Sequence, residues 1–155
     1  MYQITLTILG TVISGVLVFV LCQIIVQKYI KTYEEYKTLK GKVAFLLVMY
    51  ANLYCNPINV LNVEDEDKIE KRKQAGIETR ILAAELSAFQ ERVEKGGVGI
   101  PSKDKLIRAA SELIFLSNSF FVHPDESITT ASKNNRECAD KIKEALSISV
   151  DVKRL

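Results

Sequence analysis

The chain holds 155 residues, 48% hydrophobic and 26% charged, with a formal net charge of +2. That length admits one domain, not two. One histidine and three scattered cysteines (Cys22, Cys55, Cys138), none in CxxC spacing, exclude a zinc site and a disulfide framework and suit a reducing compartment.

Taken in chain order, the hydrophobic residues are unevenly spread. Ile4 to Val26 contains no charged residue, and Gln23 is its only strongly polar side chain. As a helix those residues extend about 34 Å, against a hydrocarbon core of about 30 Å. A cleaved signal peptide needs a basic leader, a shorter apolar core and a small-x-small cleavage site. Here no Lys or Arg precedes the run, and Cys22-Gln23-Ile24-Ile25-Val26 offers no such site. The expectation is a transmembrane helix over residues 1–27.

Residues 28–42 carry Lys28, Lys31, Lys37, Lys40 and Lys42 against Glu34 and Glu35. Basic residues flanking a span stay on the inner side of the membrane. The N-terminus is therefore expected outside and the body in the cytoplasm. This stretch reads as a basic juxtamembrane helix with Gly41 as its weak point and expected hinge. Tyr29, Tyr33 and Tyr36 share one face, as interfacial aromatics do.

Residues 43–147 read as a helical domain. Val43 to Tyr54 is apolar but too short to cross a bilayer, which predicts a core helix. A loop around Asn56-Pro57 precedes a helix from about Glu64 to Lys95, with an acidic first turn suited to the positive helix end. Its apolar stripe is Leu82, Leu86, Phe89 and Val93, and Gly96-Gly97 ends it. Ser102 is the expected N-cap of the next helix, with Leu106, Ala110, Leu113 and Ile114 inward. His123-Pro124 separates it from a last helix, about Glu126 to Ser147, whose inner face carries Ile128, Ala131, Cys138, Ile142 and Ala145. Residues 148–155 read as a tail that is ordinarily disordered. The fold class is all-α: one N-terminal transmembrane helix and a cytoplasmic bundle of about four helices.

Catalytic constellations are missing. A single histidine cannot supply a zinc-binding pair, and no GxSxG, P-loop or GxGxxG occurs. The chain is not expected to be an enzyme, nor to need a cofactor or metal. The apolar helix says more. Thr7, Gly10, Thr11 and Ser14 fall on one arc, which Val18, Leu21 and Ile25 continue toward the inner end. Small residues and hydroxyls allow close helix association. The same arc, repeated around an axis by about four copies, would line a vestibule with hydroxyls above an apolar constriction that gates by dewetting. Plain association and a pore both remain open on the helix alone. Lys37, Lys40, Lys42, Lys71, Arg72 and Lys73 are the candidates for an anionic ligand, against the simpler reading of a lipid-contacting collar and a solvated helix face.

Several strings are characteristic. They include Tyr33-Glu34-Glu35-Tyr36, Leu39-Lys40-Gly41-Lys42-Val43-Ala44, Tyr50-Ala51-Asn52 and Arg80. Leu82-Ala83-Ala84-Glu85-Leu86, Ile100-Pro101 and Leu116-Ser117-Asn118-Ser119 follow. In these the chain resembles short bacterial proteins with one membrane helix and a cytosolic helical domain, and its plan resembles the membrane effectors of Hailong-type anti-phage systems. The resemblance implies a homo-oligomeric channel of a bacterial inner membrane, held closed by a nucleotide oligomer that a partner nucleotidyltransferase makes; one helix per chain cannot enclose a lumen, so about four or more copies are needed and a tetramer is expected. The competing expectation is a non-conducting single-pass scaffold that recruits or regulates a membrane partner.

Overall fold

A computed structural model describes residues 2–59, 65–93, 99–122 and 126–149. The chain is all-α, and no strand occurs among the described residues. Helix α1 (Tyr2–Ile25) passes through a single π turn (Val26–Ile30) into α2 (Lys31–Met49) without interruption. The π turn is closed by the Lys31 amide donating to the Val26 carbonyl, five residues back. Together they form one 48-residue helix, whose first part is long and apolar enough to cross a membrane and has none of its surface covered by the body.

The body comprises α2, the short α3 (Ala51–Cys55), α4 (Glu66–Arg92), α5 (Lys103–Asn118) and α6 (Ile128–Leu146). Its core forms where apolar residues recur every three or four positions. Val43, Leu47, Leu86, Phe89, Leu106, Leu113, Leu116, Ile142 and Leu146 are all fully enclosed. α4 runs antiparallel to α2. Arg92 pairs with Glu35, Lys42 Nζ with Glu85 at 2.7 Å, and the Tyr50 hydroxyl donates to Glu78 at 2.5 Å. α4 and α5 approach closely at Gly76, where an added Cβ would stand 2.9 Å from the Ser117 carbonyl oxygen. Arg80 on α4 donates to Asn118 on α5, joining two of the characteristic strings.

Asn135 holds three elements together from inside. Its amide donates to the Tyr54 carbonyl at 2.9 Å and to the Ser119 carbonyl at 3.0 Å, closing the ends of α3 and α5 onto α6. The chain end of α6 closes through Ser147 in the left-handed region (φ 54°), with the Ile148 amide returning to the Lys143 carbonyl at 2.8 Å. That is the Schellman pattern, with serine where glycine is commoner.

Four expectations change. Tyr36 is not an interfacial aromatic: it is buried and stacks on Phe89 with centroids 6.1 Å apart. Ile114 and Ile128 are exposed, because Leu113, Leu116 and Ala131 already fill the inward positions. Gly41 lies inside unbroken helix; the departures from α geometry fall at the π turn and at Tyr50 (φ −100°, ψ 12°), where α2 ends. The tail starts later than expected, since Ile148 packs into the core. Gly96-Gly97, His123 and residues 150–155 lie outside the described residues.

Candidate functional site

The stripe on α1 has a definite local chemistry. The Thr7 hydroxyl donates to the Gln3 carbonyl, Thr11 to Thr7 and Ser14 to Thr11, each at 2.9 Å. Each hydroxyl proton is thus satisfied within the helix, leaving oxygen lone pairs outward to accept from water or a neighbouring helix. A Cβ on Gly10 or Gly15 would meet nothing within 4 Å. Val18, Leu21 and Ile25 are exposed further along.

Beyond the π turn, the same continuous helix borders a groove of about 610 Å³. Tyr33, Lys37, Lys40, Gly41 and Ala44 of α2 form one wall. Gly99, Ile100, Pro101 and Lys105 form the second, and Ser147 to Ser149 close the end. Among the described residues three lysines line it and no carboxylate does. Lys37 and Lys105 form no ion pair among the described residues. Lys40 donates to the Ser147 carbonyl at 2.7 Å, a cation set against the negative end of α6. The first turn of α5, where Lys105 sits, adds the positive end of a helix dipole, and its N-cap Ser102 makes no side-chain capping bond.

Gly99 shapes the wall. Its φ is +81°, and a Cβ there would fall 2.7 Å from the Tyr33 ring, so only glycine lets the loop lie against that ring. Tyr33 keeps 42% of its surface exposed, leaving ring surface on which a flat group can stack. The groove therefore offers positive charge and an aromatic surface, with no competing acid among the described residues.

The expected anion-binding residues divide. Lys37 and Lys40 line the groove. Lys42 lies on the other flank of α2, paired with Glu85. Lys71, Arg72 and Lys73 are not near them. The antiparallel pairing puts Lys40 level with about residue 87 of α4, so their turn lies roughly 22 Å further along that helix. Arg72 is moreover spent internally. It is 8% exposed, donates to the Asn56 carbonyl at 3.0 Å and to the Lys68 carbonyl at 3.4 Å, and burial lowers its pKa. Lys71 and Lys73 remain on the solvent face, Lys73 within 4.0 Å of Glu70.

Sequence reasoning passed over Tyr33, Gly99, Lys105 and Ser147 as site residues. Lys105 belongs to a helix more than sixty positions after Lys40, and only the fold brings them together. Gly99 beside Ile100-Pro101 was the one local signal, a glycine in a tight loop next to a helix start.

A second surface feature lies on the other side of α2. Phe45, Met49 and Ile81, each more than half exposed, border an apolar groove of about 440 Å³ between α2 and α4. No metal-binding cluster of His, Cys, Asp and Glu occurs among the described residues. No protein-family model, curated protein or solved structure matches the chain.

Proposed function

We propose that the chain is a homo-oligomeric, ligand-gated, pore-forming membrane effector that acts in bacterial anti-phage defence. About four copies assemble in the inner membrane, N-terminus outside and body in the cytoplasm, an orientation that the lysines after the span favour. Thr7, Thr11 and Ser14 line the vestibule, and Val18, Leu21 and Ile25 form the constriction, which stays closed by dewetting. The ligand is an anionic nucleotide oligomer supplied by a partner nucleotidyltransferase. Lys37, Lys40 and Lys105 receive its phosphates, and Tyr33 stacks a base.

One observation carries this reading. A single unbroken helix bears the hydroxyl-bearing stripe in its apolar part and, on its continuation, a groove lined by three lysines. A ligand that restrains the groove therefore acts on the stripe through rigid backbone. The resemblance to Hailong-type effectors supports the same assignment.

A second reading, a non-conducting scaffold, is favoured by the exposed Phe45, Met49 and Ile81 surface, which fits a partner protein. Planar-bilayer recording of the purified oligomer, with and without single-stranded oligodeoxynucleotide, separates the two. The effector conducts and the oligonucleotide closes it. Absence of conductance in both conditions leaves the scaffold.

A further inference from the structure

The π turn fixes an angle that neither half of the long helix sets alone. Counted at about 100° per residue, the arc through Thr11, Val18 and Ile25 would continue in an uninterrupted α-helix through Tyr36, Val43 and Leu47. Those three side chains are buried against the body. With the stripe on a shared axis, that register would drive the bodies of all copies into one another. A π turn accommodates one extra residue, so everything beyond it falls back by about 100°. The arc then continues through Tyr33, Lys37 and Ala44, all of which line the basic groove, and the body lies to one side.

We propose that the π turn Val26–Ile30 is a register element that turns the basic groove toward the axis of the oligomer, directly in line with the membrane stripe. The anionic ligand then lies on that axis, between the grooves of facing copies, where each copy adds its own lysines to one site. This rests on the stripe facing the axis, as in the function proposed above. It adds the azimuth of the groove and the element that sets it.

Cysteine cross-linking of the full chain in membranes tests it, in a background with Cys22→Ser and Cys55→Ser; Cys138 is buried and stays. A flexible bis-maleimide is expected to join copies through Ser14→Cys and through Lys37→Cys, but not through Thr38→Cys, about 100° round the helix from position 37. Deleting Gln27 removes the extra residue. The link at position 37 should then be lost while the link at position 14 persists, and an alanine inserted after Lys31 should restore it. Linking at Thr38→Cys as strong as at Lys37→Cys, a position-37 link that survives the deletion, or no restoration by the inserted alanine would overturn the register assignment and leave the proposed pore intact. Absence of linking at Ser14→Cys would overturn both.

Discussion

The hydroxyl of Tyr36 donates to the carbonyl of Leu146 across 3.0 Å, joining the helix that leaves the apolar span to the last turn of α6. One turn further along, Lys40 bonds the next carbonyl, that of Ser147. Tyr36→Phe leaves the Leu146 carbonyl buried without its donor, a loss of about 1–3 kcal/mol. Scanning calorimetry of the full chain in detergent should show a lower unfolding temperature, with the α-helical content of the apolar span unchanged. An unaltered transition would mean that water replaces the hydroxyl.

The same residue makes the body sensitive to alkali. Burial, with a smaller contribution from Tyr33, pushes the Tyr36 hydroxyl up from 10.0 to about 12, and burial plus the Glu78 carboxylate does the same for Tyr50. Burial pushes Tyr54 higher still. A raised folded pKa means that the folded state holds its proton more tightly. The stability from these groups is therefore complete below pH 10 and is lost as pH rises from about 10 through about 12. Tyrosinate absorbance and loss of tertiary structure should accordingly rise together in that window. Ionisation of every tyrosine ahead of unfolding would contradict the burial.

Two glycines in helices should respond oppositely to alanine. Gly41 has open space where the Cβ would go, so Gly41→Ala should stabilise α2 by about 1 kcal/mol, the ordinary helix propensity difference. At Gly76 the new Cβ would press on the Ser117 carbonyl at 2.9 Å, and separating α4 from α5 should cost about 1–3 kcal/mol. Denaturant unfolding of both variants checks the signs.

Much of this fold was legible because apolar period and punctuation agree. The 3.6-residue stripes of α4 and α6, the proline-marked breaks and the charge-free N-terminal run each leave a local trace in sequence. What stayed hidden depends on rotation and depth. A π turn has no composition signature, yet it separates the faces of Tyr29 and Tyr36, so an even 100° count put Tyr36 at the membrane surface and not in the core. Arg72 reads as a solvated cation beside Lys71 and Lys73, and only the packing of the Asn56 turn shows where its guanidinium goes. The polar keystone Asn135 is likewise silent in sequence, since an asparagine in a polar helix carries no sign of the two carbonyls awaiting it.

Charge changes should divide the lysines into two classes. Lys37→Glu and Lys105→Glu each remove a groove cation and should weaken binding of a single-stranded oligodeoxynucleotide. Each should also lower the salt dependence by about one unit of slope for one lost phosphate contact. Lys71→Glu and Lys73→Glu lie at the far end of α4 and should leave both quantities unchanged. Fluorescence anisotropy over a salt series measures this. Equal losses in the two classes would indicate long-range field effects and not a built site.

The apolar end of the stripe gives the sharpest test of conduction. A pore closed by dewetting stays shut only while its narrowest lining is apolar, because water there gains no hydrogen-bonding partner from the wall. Val18 and Ile25 lie on the arc below the hydroxyls of Thr11 and Ser14 and are exposed, with nothing of their own chain to cover them. Val18→Ser or Ile25→Asn puts a hydrogen-bonding group at that level on every copy, so water should persist and ions follow. Cells expressing either variant should depolarise without any trigger, and the oligonucleotide should close the channel poorly. Val16→Ser serves as the control. It introduces the same hydroxyl into the same apolar helix but on the face away from the stripe, so a general insertion defect would affect it equally. Membrane potential preserved in Val18→Ser and Ile25→Asn, with the oligomer assembled at normal levels, would exclude the hydrophobic gate.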